Sequence, residues 1–192
     1  MLCVVIEPNV EIKKGKDLSV RAVKQINVIW QKAFPGNEPV EPRNKKLFSK
    51  DTFFIIRDSK GMILSVGRLK PVKLTFLKKV YYVQGIADIV SVLKRRGYGK
   101  VLMHSMHEYL NKTKRTGVGF CIRKNSPFYH KGGFRIAKNL VRRFLYKNSK
   151  GQIIKGKGTD DVDVIYLSGK DKFIEKVLAN SKEKVLIPIP HW

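Results

Sequence analysis

The stretch from Gly85 to Gly99 contains residue types that suit the binding of a phosphate group. It opens as an apolar, β-branched run of the length of a buried strand, made of Ile86, Ala87, Ile89, Val90 and Val92. Three cations then lead into the turn Gly97-Tyr98-Gly99, and helical spacing follows at Val101, Leu102, Ser105, Met106 and Tyr109. A strand, a glycine turn and a helix start present free N–H groups and the positive end of the helix dipole to an anion.

The spacing of these glycines argues against two common phosphate motifs. A P-loop needs four residues between its glycines, and only Tyr98 separates Gly97 from Gly99. The dinucleotide fingerprint GxGxxG is not matched either. The turn therefore predicts an anionic ligand but does not identify it.

A second candidate segment runs from Asn125 to Phe134 and reads NSPFYHKGGF. Ser126 and Pro127 predict a helix start with a capping hydroxyl, and Gly132-Gly133 predicts its end after about a turn and a half. This short helix presents Tyr129. The ring of Tyr129 could serve only in packing.

Both segments resemble the motifs of the GNAT superfamily of acetyl-CoA-dependent N-acetyltransferases. The stretch 94–99, KRRGYG, is similar to the motif A signature Q/R-x-x-G-x-G/A, with Lys94 in the first place. The stretch 125–134 is similar to motif B, N-x-x-x-FYxKxGF. The resemblance covers roughly residues 50–136, with motif A at 85–110 and motif B at 117–134.

The resemblance implies an α/β (α+β) fold with a central mixed, mostly antiparallel sheet flanked by helices. A splayed strand pair would hold acetyl-CoA, the cosubstrate. The pantetheine arm would lie along Ile89, Val90 and Ser91, and Asn125 would contact the cofactor. Tyr129 would protonate the departing thiolate. The pyrophosphate would be held by Arg96, Gly97, Tyr98, Gly99 and Lys100.

The candidate for the general base is Asp88, which has two alternative roles. Asp88 stands where many members have an aspartate near the cleft and could take a proton directly or through water. It could equally be a structural carboxylate that bonds nearby backbone. Two histidines three apart, His104 and His107, have metal-ligand spacing but no third ligand nearby, and no metal is predicted.

The composition indicates a strongly basic globular protein. The 192 residues carry 40 Lys and Arg against 15 Asp and Glu, a net charge of +25. Residues 94–157 hold 18 of these cations and the single acid Glu108. An anionic partner such as RNA would explain them, and so would a lysine-rich compositional habit with solvated charges. Neither Cys3 nor Cys121 has metal or redox spacing, and without a membrane span or signal-peptide core a cytoplasmic location is expected.

The remaining elements are read from periodicity, caps and turn residues. The pattern predicts one domain over 1–192, with a strand at 2–6, a basic turn up to 16, a helix capped by Asp17 or Ser19 and ending by Pro35, and a loop over 35–50. It then predicts strands at 52–57, 62–69, 72–77, from 80, at 117–122 and before 167, a strand or short helix at 140–146, a loop at 147–159, a helix at 171–179 and an extended end.

Three acids, Asp160, Asp161 and Asp163, stand out in the basic chain. With the strand and extended end that follow, they faintly resemble the C-terminal part of aminoglycoside 2′-N-acetyltransferases, where acids meet a cationic acceptor. The alternative is that they offset the lysines of the preceding loop.

Three functions are weighed. The leading one is transfer of acetyl from acetyl-CoA to a primary amine, of a small molecule or a protein, by direct attack in a ternary complex. The second places the amine on RNA, as in aminoacyl-tRNA. The third is a non-catalytic module that binds acyl-CoA or nucleic acid. The acceptor is not readable from the sequence, no membrane partner is expected, and a homodimer is possible.

Overall fold

The computed structural model describes residues 8–36, 39–147, 152–155 and 161–187. The strands are Val10–Lys14 (β1), Thr52–Arg57 (β2), Ile63–Phe76 (β3), Lys79–Ser91 (β4), Gly117–Ile122 (β5), Arg135–Ala137 (β6), Phe144–Lys147 (β7), Ile153–Lys155 (β8), Val162–Leu167 (β9) and Val185–Ile187 (β10). The α-helices are Val20–Ala33 (α1), Lys45–Phe48 (α2), Tyr98–Thr113 (α3), Ser126–Lys131 (α4) and Phe173–Ala179 (α5).

The chain forms two compact units that are interleaved in sequence. Unit 1 holds the described residues up to Arg68 together with Asp88–Ser105, and unit 2 holds Leu69–Ala87 together with the described residues from Met106 onward. The chain passes between them within β3, β4 and α3. The expectation of one 192-residue domain stays a prediction.

Unit 1 is built around the buried face of α1. Ser19 caps this helix by accepting a hydrogen bond from the Ala22 N–H at 3.2 Å, which decides between the two predicted caps. The helix packs Ile26 and Trp30 into a core that includes Phe53 of β2 and Val90 of β4. β1 pairs antiparallel with β2, and β2 pairs with β3.

Unit 2 has the strand order β6-β9-β5-β4-β3-β10-β7-β8. Most of its described ladders are antiparallel, with β4–β5 and β7–β10 parallel. α5 buries Phe173 and Val177 in a core with residues of β3, β4, β5, β7, β9 and β10. The mixed, mostly antiparallel sheet with flanking helices confirms the predicted fold class.

The β4–β5 ladder is short. Its partner pairs are Gln84↔Gly117 and Gly85↔Val118, although β5 continues to Ile122. At Gly119 the strands still approach closely, because an added Cβ would lie 2.9 Å from the Ile86 carbonyl oxygen. The splayed strand pair that the resemblance implied stays a prediction.

Several local predictions were wrong. The basic turn before residue 16 contains β1, whose alternation of Val10 and Ile12 with charged residues is a strand signal that we missed. The loop over 35–50 contains α2 and a 3-10 turn over Pro42–Asn44. The two strands predicted at 62–69 and 72–77 are one strand, β3, which runs through the exposed Pro71.

Other predictions were close or lie outside the described residues. β2 and β5 have the predicted bounds, and the segment 140–146 is a 3-10 turn followed by β7. The loop predicted at 147–159 contains β8, and α5 begins two residues later than predicted. The strand predicted at 2–6 and the end beyond residue 187 lie outside the described residues.

Candidate active site

The first candidate segment is the turn into α3, in unit 1. Arg95 and Gly97 both have left-handed backbone, with φ of 59° and 81°. The Gly97 carbonyl accepts the first helical hydrogen bond, from the Val101 N–H at 3.1 Å. The N–H groups of the next three residues, Tyr98, Gly99 and Lys100, therefore have no acceptor within the helix. These are three of the residues expected to hold the pyrophosphate.

The charge at this turn also suits an anion. Lys94, Arg95, Arg96 and Lys100 are all exposed, so their cations lie in solvent beside the first turn of α3. The helix is 16 residues long, and its dipole places partial positive charge at the same end. The backbone donors, the helix dipole and the side-chain charges at this turn thus all favour binding of an anion such as phosphate.

The strand that leads to this turn is anchored to β3. The Ser65 hydroxyl donates to the Val90 carbonyl at 3.0 Å and lies 2.9 Å from the Ser91 hydroxyl. The Val92 N–H donates to the Leu64 carbonyl at 2.8 Å. The three residues expected to line the pantetheine arm, Ile89, Val90 and Ser91, therefore belong to a well-fixed end of β4.

Asp88 has left-handed backbone inside β4, with φ of 53°. Aspartate tolerates this conformation better than most residues. The Asp88 carbonyl accepts from the Trp30 indole N–H at 2.8 Å, and its carboxylate accepts from Arg68 Nε at 2.6 Å. Asp88 thus bonds a helix and a strand of unit 1.

Arg68 joins Asp88 to a second carboxylate. Its Nη1 donates to Asp51 at 3.1 Å, and its guanidinium lies 4.8 Å from the centre of the Trp30 ring. Because the Asp88 carboxylate is engaged by this guanidinium, the geometry favours the structural alternative over a free base. The role of a base stays a prediction.

The second candidate segment is α4, in unit 2. Pro127 stands in its first turn, and it ends at Gly132 and Gly133, as predicted, with Gly133 at φ 91°. The expected Ser126 cap was wrong. Ser126 lies inside the helix, and its hydroxyl donates at 2.8 Å to Asp163 of β9.

Tyr129 is half-buried on α4, and its ring packs edge-on against Phe128 at 5.1 Å. Burial raises the pKa of the Tyr129 phenol to about 12, and the nearby Cys121 thiol adds to the rise. Tyr129 is therefore a protonated donor throughout the neutral range. Asn125, the other expected cofactor contact in this unit, is exposed just before the helix.

The two histidines of α3 differ in their surroundings. His107 packs edge-on against Phe134 at 5.6 Å between ring centres, and its Nδ1 lies 3.3 Å from the Asn111 amide nitrogen. His104 is exposed. Over residues 8–36, 39–147, 152–155 and 161–187 there is no group of three or more His, Cys, Asp or Glu side chains that could hold a metal ion.

Comparison with known proteins identifies the family. Residues 16–137 match the model of the acetyltransferase (GNAT) domain, which is more than half of the chain. The chain belongs to the GNAT acetyltransferase family. Transfer of an acyl group from an acyl-CoA follows from this membership. No curated protein sequence matches the chain.

Solved structures share the fold at low identity. The N-acetyltransferase YhbS of Escherichia coli, in complex with CoA, has a TM-score of 0.58 at 12% identity over 95% of this chain and 91% of its own. An acetyltransferase of Bacillus subtilis, in complex with CoA, has a TM-score of 0.52 at 16% identity over 84% of this chain and 99% of its own. A probable N-acyltransferase of Enterococcus faecalis has a TM-score of 0.50 at 21% identity over 68% of this chain, which spans only 35% of that protein.

The similarity to aminoglycoside 2′-N-acetyltransferases remains an expectation. Of its three acids, Asp160 lies outside the described residues, Asp161 is exposed and Asp163 is fully buried. Asp163 therefore does not simply offset lysines at the surface. Among the described helices, none has the length and apolar character needed to cross a membrane.

The raised pKa of Tyr129 predicts a loss of stability at alkaline pH. An unfolded tyrosine ionises near pH 10.0, but the folded phenol resists ionisation until about 12. The unfolded state therefore releases its proton first as pH rises, and the free energy of unfolding falls between these values by about 2–3 kcal/mol. Below pH 10 this contribution is fully present.

The measurement compares the wild type with Tyr129→Phe by urea denaturation at pH 9 and near pH 12. Between these two pH values, the difference in unfolding free energy between the two proteins should change by about 2–3 kcal/mol, because the other ionisable groups are the same in both proteins. An unchanged difference would mean that water reaches the Tyr129 phenol.

Proposed function

We propose that this chain transfers the acetyl group of acetyl-CoA to a primary amine by direct attack in a ternary complex. The observation that carries the proposal is the first turn of α3. Its unpaired N–H groups at Tyr98, Gly99 and Lys100 follow a cationic turn with left-handed backbone at Gly97. Such a site suits a pyrophosphate. The family model supports the acetyl group as the cargo.

The rest of the cosubstrate is assigned by continuity along the chain. We assign the pantetheine arm to the backbone of Ile89, Val90 and Ser91, which follow the end of the β4–β5 ladder along β4. Arg96 is assigned to the phosphates and Asn125 to a polar contact with the cosubstrate. An extended arm beside a strand would be held by main-chain hydrogen bonds, as an added strand is.

The chemistry needs few groups. The amine nitrogen attacks the thioester carbonyl, the C–S bond breaks, and the sulfur leaves with the electron pair. Tyr129 is proposed to donate a hydrogen bond to this sulfur as its negative charge develops. Because a phenol of pKa about 12 is a weaker acid than a thiol, complete transfer of its proton is uphill, so stabilising the thiolate is its main contribution.

The proton of the attacking amine needs an acceptor. Asp88 is one proposal, and water held nearby is the alternative. The bonds from Arg68 and Trp30 to Asp88 support a positioning role in which the aspartate fixes the bend of β4. A substitution that keeps the shape and removes the charge separates these roles.

The anion site is tested by binding. Acetyl-CoA should raise the melting temperature of the wild type, since a ligand that binds only the folded state stabilises it. Gly97→Ala should raise the apparent Kd for acetyl-CoA about tenfold and so reduce the rise in melting temperature. A Cβ is strained at φ 81°, so the turn must shift. The rise should follow acetyl-CoA concentration.

Gly36→Ala is the matched control, because Gly36 also has left-handed backbone, with φ of 91°, and open space around it. It should destabilise the protein without changing the apparent Kd. No rise in melting temperature at millimolar acetyl-CoA would contradict the assignment of the turn.

The chemical roles are tested by kinetics. Tyr129→Phe should lower kcat about 10²-fold with little change in the KM for acetyl-CoA, because its donor acts on the leaving group. Asp88→Asn keeps the side-chain shape, tolerates left-handed backbone and removes the charge. It should lower kcat by less than about tenfold if Asp88 only positions β4.

Turnover is followed as release of free CoA thiol with a panel of primary amines, and with propionyl-CoA to test the acetyl preference. If both variants turn over acetyl-CoA like the wild type while binding persists, the non-catalytic module becomes the better description.

A second candidate, acetylation of an amine carried by RNA, is favoured by a cluster of cations in unit 2. The turn after α3 packs against the turn before α5, where the Lys170 N–H donates to the Lys114 carbonyl at 3.1 Å. The Asp171 carboxylate between them is engaged by the Thr116 hydroxyl at 2.5 Å and the Phe173 N–H at 3.0 Å. The exposed cations of the two turns are Lys112, Lys114, Arg115, Lys170 and Lys172.

RNA binding is tested by fluorescence anisotropy with a labelled tRNA at several salt concentrations. Replacing Lys112, Lys114 and Lys170 by Gln should weaken binding and reduce the salt slope by about two to three counterions. Replacing the exposed Lys16, Lys24 and Lys60 of unit 1 removes equal charge and serves as the control. Equal losses in both triple variants would indicate only a nonspecific effect of net charge.

A further inference from the structure

The side chain of Asp163 is fully buried in unit 2, which is unusual for a carboxylate. It lies on β9 directly opposite Cys121 of β5 in the antiparallel register. Partners in such a pair project their side chains to the same face of the sheet. A buried carboxylate needs hydrogen-bond donors, and Asp163 has them on both oxygens.

Both donors come from the segment that carries Tyr129. The Ser126 hydroxyl donates to Oδ2 at 2.8 Å, and Arg123 Nε donates to Oδ1 at 3.3 Å. Arg123 belongs to the 3-10 turn Arg123–Asn125, and Ser126 is the first residue of α4. One carboxylate therefore holds the turn before the helix and the helix start together.

The position of Ser126 matters for Tyr129. The two residues are three apart and lie on the same side of α4. A helix of six residues has little stability by itself, so its rotation about its own axis is set by tertiary contacts. At its other end the Phe134 and Gly132 N–H groups donate to the Tyr129 carbonyl at 3.2 and 3.0 Å. Asp163 thus fixes the start of a helix whose end is fixed by its own turn.

Cys121 connects the Asp163–Ser126 pair to the surroundings of the Tyr129 phenol. The Cys121 thiol lies 3.5 Å from the Ser126 hydroxyl and is buried. Burial raises the pKa of Cys121 first of all, with the Asp163 charge adding to the rise. Cys121 is therefore a neutral thiol that fills the space among Asp163, Ser126 and Tyr129.

We propose that Asp163 and Ser126 are positioning residues for Tyr129, holding α4 so that the phenol stays oriented and shielded from water. This inference rests on the proposed function for its kinetic consequence, but its structural consequence is independent. When the Asp163–Ser126 bond is removed, α4 loosens and water reaches the phenol. The phenol then ionises at lower pH, and because α4 no longer holds it in one orientation, its O–H is directed at the leaving sulfur for less of the time.

The experiment titrates Tyr129 directly by NMR on protein with ring-labelled tyrosine, its signal being assigned by its loss in Tyr129→Phe. In Asp163→Ala and Ser126→Ala the midpoint should fall by about one pH unit from its value near 12 toward 10.0. Asp163→Asn keeps an acceptor for the Ser126 hydroxyl and should fall less. It is also the variant to use if Asp163→Ala does not fold.

The matched control is Thr116→Val. Thr116 is fully buried in the same unit, and its hydroxyl donates to the Asp171 carboxylate at 2.5 Å. The substitution therefore removes a hydroxyl–carboxylate bond of the same kind outside α4. It should lower the melting temperature and leave the Tyr129 midpoint unchanged. An unchanged midpoint in both Asp163→Ala and Ser126→Ala would overturn the proposal, as would an equal fall in Thr116→Val.

Kinetics then connects positioning to turnover. Ser126→Ala should lower kcat for acetyl-CoA turnover about tenfold with the KM for acetyl-CoA within about twofold. In a Tyr129→Phe background the same change should have almost no further effect, because both act through one group. Additive losses would overturn the proposal. If Tyr129→Phe alone has no effect, the acid role fails, while the titration still decides the positioning role.

Discussion

The contact of Arg68 with two carboxylates and one indole ring sets the arrangement of unit 1. Trp30 lies on α1, Arg68 on β3 and Asp88 on β4, while Asp51 directly precedes β2. One guanidinium therefore joins three elements and the residue before a fourth. Its charge compensates two acids that would otherwise repel each other in a mostly buried site. It also explains how a non-glycine residue persists in left-handed backbone within a strand, since Asp88 is held through both its carboxylate and its carbonyl.

Unit 2 also contains a buried carboxylate that needs hydrogen-bond donors, that of Asp163. There the buried carboxylate is satisfied by a hydroxyl and a guanidinium on consecutive short elements, rather than by one arginine that reaches two acids. Both arrangements fix a bend in the backbone next to residues expected to touch the cosubstrate. In both, polar groups define the local geometry, while the apolar cores supply most of the stability.

The sequence was sufficient where the signal is local. The Gly97 turn and the Gly132-Gly133 helix end each depend on backbone preferences of adjacent residues. For α1 the local signal left two alternative caps, Asp17 and Ser19. It was insufficient where the cause lies far along the chain. The Ser126 hydroxyl had a plausible local use as a cap, but Asp163, 37 residues away, is its partner. Nothing near Asp88 indicated Arg68, because that pair depends on the register of β3 and β4.

The interleaving of the two units has a consequence for how the protein can change in evolution. The chain crosses from one unit to the other inside β3, β4 and α3, and not in linkers. No single cut in the sequence separates the units, since each is built from two segments. One crossover between related genes therefore cannot exchange exactly one unit, and deleting residues 106–192 would leave unit 2 with only its segment Leu69–Ala87.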